Sequence, residues 1–210
     1  MQRTFCDLLN IAPGGLIEGF TITGSGPGYF DSGIWHSQGT VTVRRNHFVG
    51  NNVGIFSWCF QEDCAALLIA ENNVFVGNSR VAVDANGPPV HRLVNNTVVG
   101  NGRGFVLNNL ASLAENNIVV QNSGDGLAGY SGVTVRYNDV WGNGLNYNGP
   151  LPGPGSISAD PHFVNAAAGD YHLQPSSPCI DTGNPDPAYN DPDGSRNDIG
   201  AYGGPNAPPE

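Results

Sequence analysis

Apolar and polar positions alternate in short runs along most of this chain, and the runs return at a nearly fixed spacing. VTVRRNHFV, LLIAENNVFV, HRLVNNTVV, SLAENNIVV and VTVRYNDVW each combine aliphatic or β-branched residues, an asparagine and a further apolar stretch. Aligned on that asparagine they give Asn46, Asn73, Asn96, Asn117 and Asn138, followed five residues later by Asn51, Asn78, Asn101, Asn122 and Asn143, with steps of 27, 23, 21 and 21 residues in both series. A second family of apolar segments follows each motif after a glycine or short polar turn: GIWHS, GIFSW, VAVDA, GFVLN and GLAGY. Alternation of period two argues strands, and a repeat in the low twenties argues a solenoid. The regularly spaced leucines of leucine-rich repeats are missing, and helical repeats would not tolerate so much Gly, Asn and Val.

The pattern therefore predicts an all-β fold: a right-handed parallel β-helix of five or six coils, stacked about 4.8 Å apart. The recurring asparagines read as corner posts that tolerate the left-handed conformation and bond the equivalent amide one coil on. Gly14–Ser25 reads as the first coil, with Ile17 and Ile22 pointing inward. So little chain precedes it that the N-terminal end of the stack is expected to be poorly covered, a surface for homo-oligomer formation. The repeat ends at Asn143, dividing the chain into coils (1–143) and a Gly/Pro-rich connector with an irregular C-terminal cap (144–210).

Composition narrows the partners. The 210 residues include 30 Gly and 16 Pro, no lysine, and a net charge of −10. Nucleic acid is excluded, because counterion release needs clustered Lys and Arg, and an anionic bilayer surface is disfavoured for the same reason. No apolar run is long enough for a transmembrane segment. The opening MQRTFCDLLNIAPGG carries an aspartate and no continuous apolar core, so it is not a signal peptide. Cys59 and Cys64 bracket a polar loop and are expected to form a small disulfide, with no second Cys/His pair to suggest zinc. Cys6 and Cys179 belong to opposite ends of the stack and are expected not to pair.

Stacking converts sequence equivalence into proximity. Two residues before the motif asparagine, one column reads Arg44, Glu71, Val94, Glu115, Arg136. As catalytic candidates these are the chain's arginine bases and paired carboxylates; as a structural column they are an alternating charge ladder, and the arginines beside each glutamate favour its charged form. A second column reads His36, Ser57, Asp84, Leu107, Gly129, and its order keeps Asp84 from orienting the imidazole, so a hydrolytic triad is not expected. Trp35, Phe56 and Val83 form a neighbouring column. With Trp58 and Trp141 its aromatics offer flat apolar surface for sugar rings. In the tail, NDPDGSRND puts Asp191, Asp193 and Asp198 around a glycine, hard oxygen donors of the kind Ca²⁺ takes, with Asx turns as the alternative use of the same residues.

The Asn-rich coils resemble the pectate-lyase-like group of parallel β-helix proteins. The tail residues Asp160, Pro161, Phe163, Gly169, Asp170, Tyr171, Leu173, Pro175, Ser177, Pro178, Ile180, Asp181, Gly183 and Asp198 to Tyr202 resemble the segment that follows the coils in bacterial surface proteins of the choice-of-anchor Q type. That resemblance implies a secreted or cell-surface protein whose tail caps the last coil. The function expected is an extracellular, polysaccharide-associated module. The alternative is a lyase or glycoside hydrolase using Arg136 or Arg44 with nearby carboxylates; relatives on this fold use a Lys or Arg base with calcium-bound carboxylates, and no lysine exists here.

Overall fold

The computed structural model describes residues 14–28, 30–58, 66–87 and 90–208. It is a parallel β-helix, as the repeat predicts: three six-stranded parallel sheets, in which each turn of chain contributes one strand to each sheet. Sheet A comprises Gly15–Glu18, Gly39–Arg44, Ala66–Glu71, Arg92–Val94, Leu113–Glu115 and Thr134–Arg136. Sheet B comprises Thr21–Thr23, His47–Val49, Val74–Val76, Thr97–Val99, Ile118–Val120 and Asp139–Trp141. Sheet C comprises Ser32–His36, Val53–Trp58, Val81–Asn86, Phe105–Asn108, Asp125–Gly129 and Leu145–Asn148, so the coils run on to Asn148. No helix among the described residues is long and apolar enough to cross a membrane.

Alternation within each strand sends one residue in two to the solenoid interior, where register stacks like on like. In sheet A the inner column is Ile17, Val43, Ala70, Leu93, Ala114 and Val135. In sheet B it is Ile22, Phe48, Phe75, Val98, Val119 and Val140. The Phe48 and Phe75 rings lie nearly parallel with centroids 4.7 Å apart. This column filling buries apolar side chains at every level of the stack, and each coil's core continues into the next.

The corners carry the asparagines, with a division of labour the repeat alone does not reveal. Left-handed backbone belongs to the residue before each motif asparagine: Arg45, Asn72, Asn95, Asn116 and Tyr137 at the A–B corner, and Gly50, Gly77, Gly100, Gln121 and Gly142 at the B–C corner. The motif asparagine itself turns inward. Asn96 donates both its backbone N–H and its amide to Asn117 Oδ1 (2.9 and 3.0 Å), while its own Oδ1 accepts the same pair from Asn73 (3.1 and 3.0 Å). The remaining amide hydrogen reaches Ala70 O of the preceding coil at 2.9 Å. The second series does likewise, from Asn51 down to Asn143. Buried amides are thus fully partnered, which is what permits nine of them inside so narrow a core.

The start of the tail lies on the last coil, where Ile157 bridges Asp139 and Tyr137 N donates to Pro154 O at 2.9 Å. The rest folds back along the side of the stack toward the N-terminal end. Its hairpin, Phe163–Asn165 with Asp170–Leu173, and the later residues Cys179, Ile199 and Ala201 pack on the outer face of sheet B, enclosing Val74, Val99, Ile118 and Val120 in a second apolar core. The polar link is the row of left-handed corner residues. Asn116 Oδ1 accepts Asn184 N (2.9 Å), Asn95 Nδ2 donates to Asp198 O and Gly200 O (2.9 and 3.1 Å), Asn72 Nδ2 donates to Ala201 O and Gly203 O (3.1 and 2.7 Å), and Arg45 Nε donates to Asn206 O (2.8 Å). The physical reason lies in sheet B itself, whose middle strands are apolar on both faces and need cover on both.

Candidate functional site

The described structure contains two groups of chemistry-bearing residues on the solenoid's outside, and register decides what each contains. On sheet A the predicted charge column is observed, Arg44 beside Glu71, then Val94, Glu115 and Arg136. Each member has a partner within the chain. Arg44 and Arg45 bridge Glu18, each at 3.0 Å. Glu71 accepts from Asn206 of the tail at 3.2 Å. Glu115 is wholly buried, held by Arg136 Nε at 2.6 Å and by Asn184 Nδ2 of the tail at 2.6 Å. Here the carboxylates and guanidinium groups fasten the tail to the coils.

Sheet C is different. Its outer column runs Trp35, Phe56, Asp84, Val106, Ala128 and Asn148. The expected neighbour Val83 instead lies one position away, under Ile55, and Ser57 pairs with Ala85, not Asp84. The slip has a simple origin. One residue separates Asn51 from Val53, but two separate Asn78 from its partner Val81, so the corner with Ser79 and Arg80 is one residue longer. That extra residue turns Asp84 to the outer face. His36 and Ser57 remain adjacent and buried, with Ser57 Oγ 3.0 Å from His36 Nδ1. Since Nε2 faces the carbonyls of Gln38 and Gly39 (3.0 and 3.1 Å) it must carry the hydrogen, and Nδ1 accepts from the serine. Burial lowers the His36 pKa. No triad is assembled.

Four aromatic rings gather at the N-terminal part of this face. Phe56 meets Phe30, Trp35 and Trp58 at centroid separations of 5.6, 5.2 and 5.5 Å. Trp141 is not among them; it stands on the outer face of sheet B, packed beside the tail. C-terminal to the aromatics lies a depression of about 560 Å³ lined by Arg80, Asp84, Arg103, Val106 and Ser123 among others. Arg80 approaches Asp84 at 3.9 Å and Arg103 approaches Asp125 at 3.3 Å. Burial raises the Asp84 pKa, with the Asn86 hydrogen bond and both arginines pulling the other way. Arg80, Arg103 and Asp125 are residues that sequence reasoning missed. The signal that could have found them is the variable length of the turn after each B–C corner asparagine.

The aspartates suggested for calcium serve the tail's own backbone. Asp191 accepts from Gly204 N and Asp198 N, Asp193 from Ser195 N and Oγ, and Asp198 from Asp181 N at 2.7 Å. Burial, with Asp191, Asp181 and Asp193 nearby, raises Asp198 to about 6. Cys59, Cys64 and Cys6, and the residues that precede the first coil, lie outside the described residues. Cys179 is a free, buried thiol whose Sγ donates to Asp139 Oδ2 at 3.4 Å.

No curated protein matches the chain. One family, described as periplasmic copper-binding protein (NosD), matches residues 14–150. Copper takes thiolate, thioether or imidazole donors. Among the described residues such donors do not fit a copper centre. No group of three or more His, Cys, Asp or Glu side chains gathers, Cys179 is engaged with Asp139, and burial lowers His91 to about 4, its Nδ1 accepting from Leu68 N at 3.3 Å. The tail after residue 150 lies beyond the matched segment. The coils account for the match, and with well over half of its residues covered the chain belongs to the NosD family of parallel β-helix proteins.

Proposed function

We propose that this protein is a periplasmic or extracellular module that binds polysaccharide along the outer face of sheet C. The observation that carries the reading is the cluster in which buried Phe56 supports the rings of Phe30, Trp35 and Trp58, on a face away from the tail and next to a polar depression. Aromatic faces take the C–H surfaces of sugar rings, and flanking polar side chains take the hydroxyls. The family's description as periplasmic supports the location. Binding is favoured over cleavage because Arg44, Glu71, Glu115 and Arg136 are engaged by Glu18, the tail and one another.

Native gels containing pectin, alginate or a neutral glucan test this directly. Retardation by at least one polymer is expected, and Trp35→Ala with Trp58→Ala should abolish it. Unretarded migration in every gel sinks the binding reading. New reducing ends or unsaturated products would instead support a hydrolase or lyase, with Arg136 and Arg44 the first residues to replace.

A further inference from the structure

We infer that the ligand of this face is an uncharged polysaccharide, read by the paired side chains of the depression as well as by the aromatic patch. The inference rests on the polysaccharide reading and gives it a substrate class.

Three observations carry it. The first is local neutrality. The four charged groups of the depression and its rim, Arg80, Asp84, Arg103 and Asp125, cancel pairwise, Arg80 with Asp84 and Arg103 with Asp125. A site built for a uronate or sulfate presents guanidinium forks that a ligand anion can complete bidentately. Here each fork already faces a carboxylate of the protein, and an acidic sugar would have to displace it. The second is the global field. With 18 acidic against 8 basic side chains and a net charge of −10, the molecule repels a polyanion at long range.

The third is the chemistry of the row beside the pairs. Asn86 donates to Asp84, Asn108 donates to Asn86, and Asn148 donates to Asp125 at 3.2 Å. Carboxylate, amide and guanidinium planes held in this way offer alternating acceptors and donors without net charge, the complement of vicinal hydroxyls. From the coil of Trp35 to that of Asp125 the face spans four coil steps, about 19 Å at the usual strand spacing, so it suits a polymer segment and not a single sugar.

The test compares migration in native gels cast with hydroxyethylcellulose or galactomannan, both neutral, and with polygalacturonate or alginate, each at low and moderate salt. Retardation is expected in a neutral gel only, insensitive to salt, and reduced at least tenfold in apparent affinity by Arg103→Gln or Asp125→Asn, with melting temperature unchanged. Asp125→Ala, which frees the Arg103 fork, should also lose neutral binding. Salt-sensitive retardation by a polyuronate, lost on Arg103→Gln, would overturn the inference while leaving polysaccharide binding standing. Neutral binding that survives Arg103→Gln and Asp125→Asn but not Trp35→Ala would confine recognition to the aromatic patch and overturn the role given to the pairs. No retardation in any gel removes both readings together.

Discussion

The outer faces of sheets B and C belong to the same coils, yet one is covered by the chain's own tail and the other is not. On sheet B the outward residues of the middle coils are Val74, Val99, Ile118 and Val120, and the tail lies over them. Toward the N-terminal end, beyond the apolar core that the tail encloses, the outward residues are Thr21, Thr23, His47 and Val49, and Val49 is 39% exposed. On sheet C the outward residues pass from aromatic to ionic, and neither stretch is a continuous aliphatic surface. The lesson is that a solenoid's inner face is alike in every coil, so the outer face decides which side is structural and which is available for a ligand.

The largest effect that can break this comparison comes from shaving one residue from each face. Ile118→Ala, at 1% exposure between sheet B and the tail, should cost about 2–5 kcal/mol, a fall in melting temperature of roughly 5–15 °C. Arg103→Gln, whose side chain is 52% exposed on sheet C, should change stability by about 0.5 kcal/mol or less. Equal losses from the two would mean that sheet C also carries structure and that the tail is not a special cover.

Next in size is the contrast between the two asparagines of each Asn-Asn pair. Asn96→Ala leaves the backbone N–H and amide of Asn73 without their acceptor, and should cost about 1–3 kcal/mol in thermal or denaturant unfolding. Asn95→Gly keeps the left-handed corner open to the backbone but removes the amide that holds Asp198 O and Gly200 O, so it should loosen the tail more than the coils. Protease cutting in the tail ahead of the coils in Asn95→Gly, and not in Asn96→Ala, is the expected signature. An unchanged melting temperature for Asn96→Ala would sink the ladder.

The smallest effect is in pH dependence, where the two sides of the molecule have opposite signs. Asp139, beneath the tail, is raised to about 6 by burial, against the Ala159 N–H and the Cys179 thiol. Its folded pKa lies above the ordinary carboxylate value of 3.8, so its contribution is full below about pH 4 and is lost as pH rises through 6. His91, at the corner between sheets C and A, is lowered by burial from 6.5 to about 4. Its contribution is present above 6.5 and is lost as pH falls through 4. Between pH 4.5 and 7.5 the melting temperature of Asp139→Asn should rise with pH more steeply than that of the parent, and that of His91→Gln less steeply, each by on the order of 1–2 kcal/mol of stability. Three parallel curves would remove the buried titrations from the account.

Much of the fold was legible because period-two alternation and the asparagine spacing report geometry directly: Val41 and Val43 inside, Thr42 and Arg44 outside, Asn73 over Asn96. The sheet-A column from Arg44 to Arg136 came out in register for the same reason. Two things were not legible. The one-residue extension at Ser79–Arg80 leaves no mark on the asparagine spacing of its own coil, and it moved Asp84 across the sheet. The tail's destination was hidden differently. VFV, TVV and IVV are apolar at all or nearly all positions, a sign of burial on both faces, but nothing in the tail's own residues says which side of the solenoid it will follow.

The left-handed corner row has one further consequence. Asn72, Asn95 and Asn116 present the same side chain, in the same backbone conformation, on three successive coils. To the tail these are similar notches, although Asn72 and Asn95 meet it with an amide donor and Asn116 with an amide oxygen. What fixes the true position must be what does not repeat: Glu115 against Asn184, Asp139 against Cys179, Arg45 against Asn206. The molecule works as a vernier, in which a regular scale supplies adhesion and a few irregular marks supply the reading. Such an arrangement lets a coil be duplicated without loss of grip, but only if those marks are carried along with it.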